Sequence, residues 1–153
     1  MNNLSVRLAD LGRREEALAA VEEALTLRRA LAAAHPDTYT PDLASSLKNL
    51  SIGLCHLGRR EEALAVNEEA TTTYRALAAA YPDTFIPDLA VSLHNLSQRL
   101  ADLGRAQEAL VAIEEATGLY RTLADTHPDA FAPAFAVSLE AYGVILTDLS
   151  RDR

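Results

Sequence analysis

The sequence predicts an all-α fold, a right-handed α-α superhelix in which about seven antiparallel helices pair as hairpins and stack as a solenoid. Three observations lead to this prediction. Segments 4–49 and 50–95 share 32 identities in 46 positions, a third copy spans 96–141, and a partial fourth covers 142–153. Leucines recur at alternating steps of four and three residues, which places them on one helical face. Glycine and proline return at fixed places in each copy. A period of this length is typical of one repeat domain whose units bury a shared core by stacking.

The prolines divide the predicted helices. All six occupy two slots of the repeat: Pro36, Pro82 and Pro128, then Pro41, Pro87 and Pro133. Because proline lacks a backbone donor and clashes inside a helix, we expect each pair to bracket a loop. Each loop carries one aromatic residue, expected to pack against the helix ends: Tyr39, Phe85 and Phe131. A helix should then begin just after the second proline.

The leucine series and the glycines set the remaining boundaries. After Pro41 the series reads Leu43, Leu47, Leu50, Leu54 and Leu57. Gly12, Gly58 and Gly104 follow these series, and glycine permits the tight turn that ends a helix. We therefore expect helices at 2–11, 14–34, 42–57, 60–80, 88–103, 106–126 and 134–149.

The second helix of each hairpin carries small residues where it meets the first. Ala63 and Ala70, and their counterparts Ala109 and Ala116, allow close approach of the paired helices. Asn67 interrupts this apolar face at the position that Val21 and Ile113 occupy. A buried amide without partners costs a few kcal/mol, so we interpret Asn67 as locally hydrogen-bonded or partly exposed.

Composition excludes several classes of function. The net charge of −8 disfavours nucleic acids and anionic membranes, which attract basic surfaces. The single cysteine, Cys55, rules out an internal disulfide and suits a cytoplasmic location. No stretch holds 18 uncharged apolar residues and the first residues do not resemble a secretory signal, so we expect neither a membrane span nor export.

Catalytic patterns are also missing from the sequence. The four histidines lack metal-ligand spacing, and no glycine-rich phosphate loop is present. Cys55 and His56 are adjacent, so on a helix their side chains point about 100° apart. Glu15-Glu16 and Glu61-Glu62 lie where carboxylates favour a helix start. The sequence therefore predicts a protein that is not an enzyme and holds no metal or cofactor.

The turn Leu57-Gly58-Arg59-Arg60-Glu61-Glu62-Ala63-Leu64, with Ala70 seven residues after Ala63, resembles the tetratricopeptide repeat. The His-Pro-Asp segment and the Leu-x-Asn-Leu-Ser stretch resemble the longer kinesin-light-chain-like subtype, common in bacterial multidomain signalling proteins. The 46-residue period is longer than the usual repeat of about 34 residues. Arg29, Arg75 and Arg121 stand where the usual repeat has a closing proline. The resemblance implies a scaffold for protein–protein interaction, part of a larger signalling or scaffold protein.

Differences between the copies indicate where a partner could bind. Copies one and two differ at 14 positions, and six of these lie on the first helix away from the leucine face. A groove adapted to a peptide would show this pattern, and so would neutral drift on a solvated face. In light-chain-like repeats the matching Asn holds the backbone of an extended peptide, which makes Asn49 and Asn95 contact candidates; an Asn that links neighbouring helices is the alternative. The candidate peptide-binding residues are Lys48, Asn49, Ile52, His56, His94, Asn95, Gln98 and Asp102.

All eight candidates align in rows of equivalent positions: Lys48 and His94 with Glu140, Asn49 and Asn95 with Ala141, and Ile52 with Gln98. Gln98 aligns with Val144, and both His56 and Asp102 align with Asp148. The carboxylate clamp of chaperone-binding relatives is matched only by Lys48 and Asn95. Its other three places hold Ile52, Val137 and Ala141. An acidic C-terminal tail is therefore a poor candidate ligand.

The two ends of the sequence predict self-association. Residues 1–3 begin partway through a first helix, and the last predicted helix leaves Phe135, Leu139, Val144 and Leu146 without a second helix to cover them. We expect a homo-oligomer formed by domain exchange or by head-to-tail stacking. Two further functions remain open: an architectural spacer without a groove ligand, and a sensor or autoinhibitory arm of a multidomain NTPase or protease.

Overall fold

A computed structural model of the chain describes residues 13–151. These residues form helices and short connections, and no strand occurs among them. The helices are α1 (Arg14–Ala34), α2 (Pro36–His56), α3 (Arg60–Ala80), α4 (Pro82–Asp102), α5 (Ala106–Thr126) and α6 (Pro128–Arg151). The predicted all-α class is confirmed. The helix expected at 2–11 and the turn at Gly12 lie outside the described residues.

The contacts divide the chain into two compact units, Met1–Val66 and Asn67–Arg153. In the first unit α1 packs against α2. In the second unit α5 packs against both α4 and α6. We call α2, α4 and α6 the first-type helices, because they occupy the first-helix position of the repeat, and α1, α3 and α5 the second-type helices. Every described second-type helix has the bounds predicted from the sequence.

The first-type helices begin six residues earlier than predicted, so the expected proline-bracketed loops are wrong. Pro36 is the first residue of α2, where its missing N–H would have no helical partner in any case. The carbonyl of His35 accepts from the amide of Tyr39 and so closes the first turn. Pro41 lies inside this helix. It removes a single bond, the one to the Asp37 carbonyl, and this loss is tolerated so close to the helix start.

The aromatic residues predicted to plug these loops lie instead in the first turn of each helix. Each ring packs on the residue four positions earlier, with ring centroids 6.2 Å apart for His35 and Tyr39 and 6.4 Å apart for Tyr81 and Phe85. The third pair, His127 and Phe131, has the same spacing of 6.4 Å. These separations are within the range of favourable aromatic contacts. These ring contacts therefore stabilise the first turn of each first-type helix.

Glycine is required at two of the hairpin turns. Gly58 has φ of +75° and Gly104 has φ of +76°, a region that side chains with a Cβ enter at a cost of about 1–2 kcal/mol. The amide of Gly104 donates to the Ala101 carbonyl at 3.0 Å, and the Arg105 amide to Leu100 at 2.9 Å. This geometry ends α4 and starts α5 within three residues.

Gly104→Ala is expected to destabilise the protein by about 1–2 kcal/mol, because alanine must adopt the left-handed conformation. Gly118, in the middle of α5, is the matched control: it is exposed and a Cβ there meets no atom within 4 Å. Gly118→Ala should stabilise the protein by up to about 1 kcal/mol through helix propensity. Urea denaturation of both variants measures the two opposite signs. Shifts of the same sign would contradict this account of the turn.

The core consists of the leucine face and the small residues opposite it. Leu47, Leu54 and Leu93 are at most 2% exposed. The alanines that allow close packing, Ala63, Ala70, Ala109 and Ala116, are completely buried, as predicted. Ala24, the equivalent position in α1, is exposed instead.

Buried polar residues also recur at equivalent positions of successive copies. Ser92 on α4 bonds Thr71 on α3, with 2.8 Å between hydroxyl oxygens, and Ser138 on α6 bonds Thr117 on α5 at the same distance. Asn67 is 1% exposed and lies beside the first of these pairs. Its amide nitrogen donates to the Ser92 carbonyl at 3.1 Å and to the Thr71 hydroxyl at 3.3 Å. The prediction of a locally hydrogen-bonded Asn67 is confirmed.

The last described helix differs from the others in its hydropathy. Among residues 13–151, α6 alone is long and apolar enough to cross a membrane by length and composition, with a mean hydropathy of 1.5 over its best 18-residue window. Only 11% of that window is buried. Because Glu140 lies near its middle, α6 contains no stretch of 18 uncharged residues. The property that distinguishes α6 is therefore a large uncovered apolar surface.

Candidate functional site

A groove with a volume of about 330 Å³ runs between α4 and α6 in the second unit. The predicted groove residues Gln98 and Asp102 both line it, together with their row partners Val144 and Asp148. The other lining residues are Ser97, Ala101, Ala141 and Ile145. The 46-residue register therefore brings two predicted rows onto neighbouring first-type helices.

The groove combines an apolar base with carboxylates. Val144 is 61% exposed, so its apolar side chain is accessible to a ligand. Asp102 and Asp148 are exposed and supply two negative charges, and Gln98 offers an amide that both donates and accepts. Such a surface can hold an apolar side chain next to a cationic one, with hydrogen bonds to a peptide backbone.

His94 and Asn95 lie on the same helix but do not line this groove. Both are half-buried. The amide nitrogen of Gln98 lies 3.3 Å from His94 Nε2, and since an amide NH₂ can only donate, this imidazole nitrogen accepts. Burial lowers the pKa of His94 below its ordinary value. The side chain therefore acts as a neutral support for Gln98.

The protein should become less stable on acidification through the titration of His94. The folded-state pKa of His94 is lowered by burial, so the unfolded chain binds more protons in the range just below the ordinary histidine value of about 6.5. Stability from this group is complete above that value and declines as the pH falls. Thermal unfolding of wild type and His94→Gln between pH 7.5 and 5 measures the effect. A wild-type curve that does not fall more steeply than the variant's would contradict it.

In the first unit the predicted residues lie on α2. Asn49 and His56 are exposed, and Lys48 and Ile52 are half-buried. Asn49 and His56 line a hollow between α2 and α1. The other described lining residues are Leu50 and Gly53 of α2, Leu57 directly after it, and Arg14, Ala17, Leu18 and Val21 of α1. Of the four predicted residues, the structure brings Asn49 and His56 together in this hollow, and Lys48 and Ile52 do not line it.

Some lining residues were missed by the sequence analysis. Ala101 and Ile145 are apolar residues of the kinds that fill the core, so a comparison of the copies does not single them out as groove residues. The available signal was helical spacing: Ala101 follows Gln98 by three residues and Ile145 follows Ala141 by four. Residues one helical turn from a variable position, on the same face of the helix, were therefore predictable as lining residues of the groove.

The glutamates at the starts of the second-type helices are engaged in ion pairs. Arg59 Nε donates to Glu62 at 2.7 Å, and Arg105 Nε donates to Glu108 at 2.8 Å. The arginine hydrogen bond in each pair lowers the pKa of the glutamate carboxyl. The ion pairs hold these carboxylates at the start of a helix, where their negative charge interacts favourably with the helix dipole. Within residues 13–151, no three His, Cys, Asp or Glu side chains are placed to hold a metal ion.

The family model for the tetratricopeptide repeat matches three segments of the chain, residues 1–37, 43–79 and 89–129, which together make up most of it. The chain belongs to the tetratricopeptide repeat family. Members of this family are protein–protein interaction scaffolds, so the scaffold class predicted from the sequence is confirmed at that level. The helical hairpins described above are the units of this repeat.

Two similar solved structures come from Podosopora anserina, where nearly identical TPR-like repeats belong to a candidate kinesin light chain. One of them carries a single substitution. Both are 17% identical to this chain and cover 97% of it and 94% of their own chains, with TM-scores of 0.37 and 0.36. Superpositions this loose assign no role to any residue of this tetratricopeptide repeat protein. No curated protein matches the chain at a significant level.

Proposed function

We propose that this tetratricopeptide repeat protein binds extended peptide segments on its first-type helices, and that in the second unit the groove between α4 and α6 selects a basic residue next to an apolar one. One observation carries the proposal: the exposed Val144 lies in the same groove as the carboxylates of Asp102 and Asp148. The proposal assigns the chain a binding role and no chemistry of its own.

Electrostatics favour a cationic ligand over an acidic one. Asp102 and Asp148 are exposed, so each pairing with a ligand Lys or Arg contributes at most about 1 kcal/mol, and less in high salt. The net charge of −8 adds a long-range attraction that raises the association rate for a basic segment. Charge thus selects the ligand class, while burial of Val144 adds apolar contact.

In each unit an asparagine amide would hold the backbone of a bound peptide: Asn49 in the first unit and Asn95 in the second. An asparagine side chain donates and accepts at once, so it can bond any backbone without selecting a side chain. Asn49 is exposed and Asn95 is half-buried. Asn95 would therefore act at the edge of the bound segment, close to Gln98, one helical turn further along the same helix.

A displayed library of random peptides tests this function. We expect recovered peptides to share a Lys or Arg adjacent to an aliphatic residue and to bind less tightly as salt is raised. The double variant D102N/D148N should weaken the binding of a recovered peptide about tenfold, since two charge pairs are lost. Asp125, exposed on α5 and outside the groove, provides the matched control, and D125N should leave the affinity unchanged.

Two results would count against groove binding. Recovery of no specific peptide would favour a spacer without a groove ligand. Recovery of peptides whose affinity is the same for D102N/D148N and for wild type would place binding elsewhere on the chain. A parallel set with Asn95→Ala reports on the backbone contact, and an unchanged affinity there would remove Asn95 from the site.

A further inference from the structure

Four positions on each first-type helix, spaced by three, four and three residues, form one stripe. In α2 they are Ala44, Leu47, Ser51 and Leu54, and in α4 they are Ala90, Leu93, Ser97 and Leu100; none of these is more than 4% exposed. In α6 the same positions are Ala136, Leu139, Gly143 and Leu146, and all four are exposed, with Leu139 at 40% and Leu146 at 39%. We call these four residues of α6 the open stripe.

Within the chain this stripe is covered by a second-type helix. The hydroxyl of Ser51 donates to the carbonyl of Ala63, which places the start of α3 on the stripe of α2. In the second unit α5 packs against α4, and its alanines Ala109 and Ala116 are completely buried. The occupant that fits the open stripe is therefore a helix of the second type, with small residues at these two positions.

One second-type helix of the same chain exposes two residues of that face. In α1, Ala24 is exposed, whereas its equivalents Ala70 and Ala116 are completely buried. Leu31 of α1 is 42% exposed, whereas its equivalent Leu77 is 8% exposed. We call Ala24 and Leu31 the α1 patch. The open stripe and the α1 patch are the two halves of a pairing that the chain already makes between α4 and α5.

Charge on neighbouring positions agrees with this pairing. In the second unit Arg75 of α3 forms an ion pair with Glu115 of α5 at 2.6 Å, joining successive second-type helices. Arg121 is the equivalent of Arg75 one repeat later, and Glu23 of α1 is the equivalent of Glu115 two repeats earlier. An α1 helix docked as the next second-type helix after α5 would bring Glu23 to Arg121.

We infer that α6 of one molecule docks on α1 of a second copy, so that the open stripe covers the α1 patch and the molecules associate head to tail. Such a contact is heterologous: a docked pair keeps one free stripe and one free patch, so further copies can add. The inference is independent of peptide binding, because the groove between α4 and α6 is lined by other positions, except for Ser97 of the buried α4 stripe.

Sedimentation of the full chain over a concentration series tests the inference. Wild type should form dimers and larger species as the concentration rises. The variant L139E/L146E should remain monomeric, and so should A24E/L31E, because each removes one half of the contact. Val111 is 68% exposed on α5 and belongs to neither surface, so V111E should associate like wild type. Far-UV circular dichroism checks folding, and L139A/L146A offers a milder variant should the glutamates unfold α6.

Mixing distinguishes head-to-tail docking from every symmetric alternative. L139E/L146E retains the α1 patch and A24E/L31E retains the open stripe, so an equimolar mixture should form a 1:1 heterodimer and nothing larger. Wild type that stays monomeric at high concentration overturns the inference. So does a mixture that stays monomeric, an A24E/L31E variant that still dimerises by itself, which would indicate α6–α6 pairing, or a monomer that binds phosphatidylcholine vesicles through α6.

Discussion

Leu93→Ala is expected to lower the free energy of unfolding by about 2–5 kcal/mol. Leu93 is 2% exposed and lies on the stripe of α4 that α5 covers. Truncation removes three buried carbon atoms and leaves a cavity that two packed helices cannot close. Urea denaturation followed by far-UV circular dichroism measures the loss.

The chain contains its own control for this substitution. Leu139 occupies the same repeat position in α6, but it is 40% exposed. Leu139→Ala should therefore cost about 1 kcal/mol or less, since the residue buries less surface and leaves no closed cavity. The comparison should be made at low protein concentration, where self-association contributes little. Equal losses for the two variants would show that covering by a second-type helix does not determine stability at this position.

The contrast between Leu93 and Leu139 shows what a repeat sequence can predict. Identical residues at identical positions predict identical local structure, and both lie on helices as expected. Their burial differs because burial depends on what packs against a helix. Local patterns therefore established the hairpins, and the uncovered surface of α6 followed only from counting which helices have partners.

The helix starts illustrate a second kind of limit. Each second-type helix was predicted to the residue, because the glycine turn and the following acidic residues mark its beginning. The first-type helices were predicted to begin six residues too late, because Pro41 and Pro87 were treated as helix breakers. A proline in the second turn removes only one helical bond, and the preceding Pro36 or Pro82 favours a helix start. Two prolines five residues apart thus belong to one helix.

The sequence predicted which residues of α4 and α6 share the groove, but it did not predict how deeply the neighbouring side chains are buried. The period alone aligns Gln98 with Val144 and Asp102 with Asp148, and the structure brings all four to one groove. The spacing of four residues places His94 beside Gln98 on α4, but it does not indicate that His94 is half-buried. That arrangement depends on packing between helices, which sequence periodicity does not describe.

Asn67→Asp is expected to destabilise the protein at pH 7 by about 3–5 kcal/mol, although the two side chains have the same shape. Asn67 is 1% exposed, and its amide nitrogen donates to the Ser92 carbonyl at 3.1 Å. A carboxylate at this site has no proton to donate, so two acceptors would face each other in a buried environment. Burial then raises the folded-state pKa of the introduced carboxyl above its unfolded value of about 3.9.

The pH dependence gives this prediction its sign. With a raised folded-state pKa, the folded variant binds more protons than the unfolded chain above about pH 4, so its stability falls as the pH rises. The deficit relative to wild type should therefore shrink on going from pH 7 to pH 4.5. Asn67→Val places the residue of the first copy, Val21, at this site and should stay within about 1 kcal/mol of wild type, because Thr71 and Ser92 still bond each other. A deficit of N67D that is independent of pH, or a valine variant as unstable as N67D, would mean that shape rather than hydrogen bonding holds Asn67 in the core.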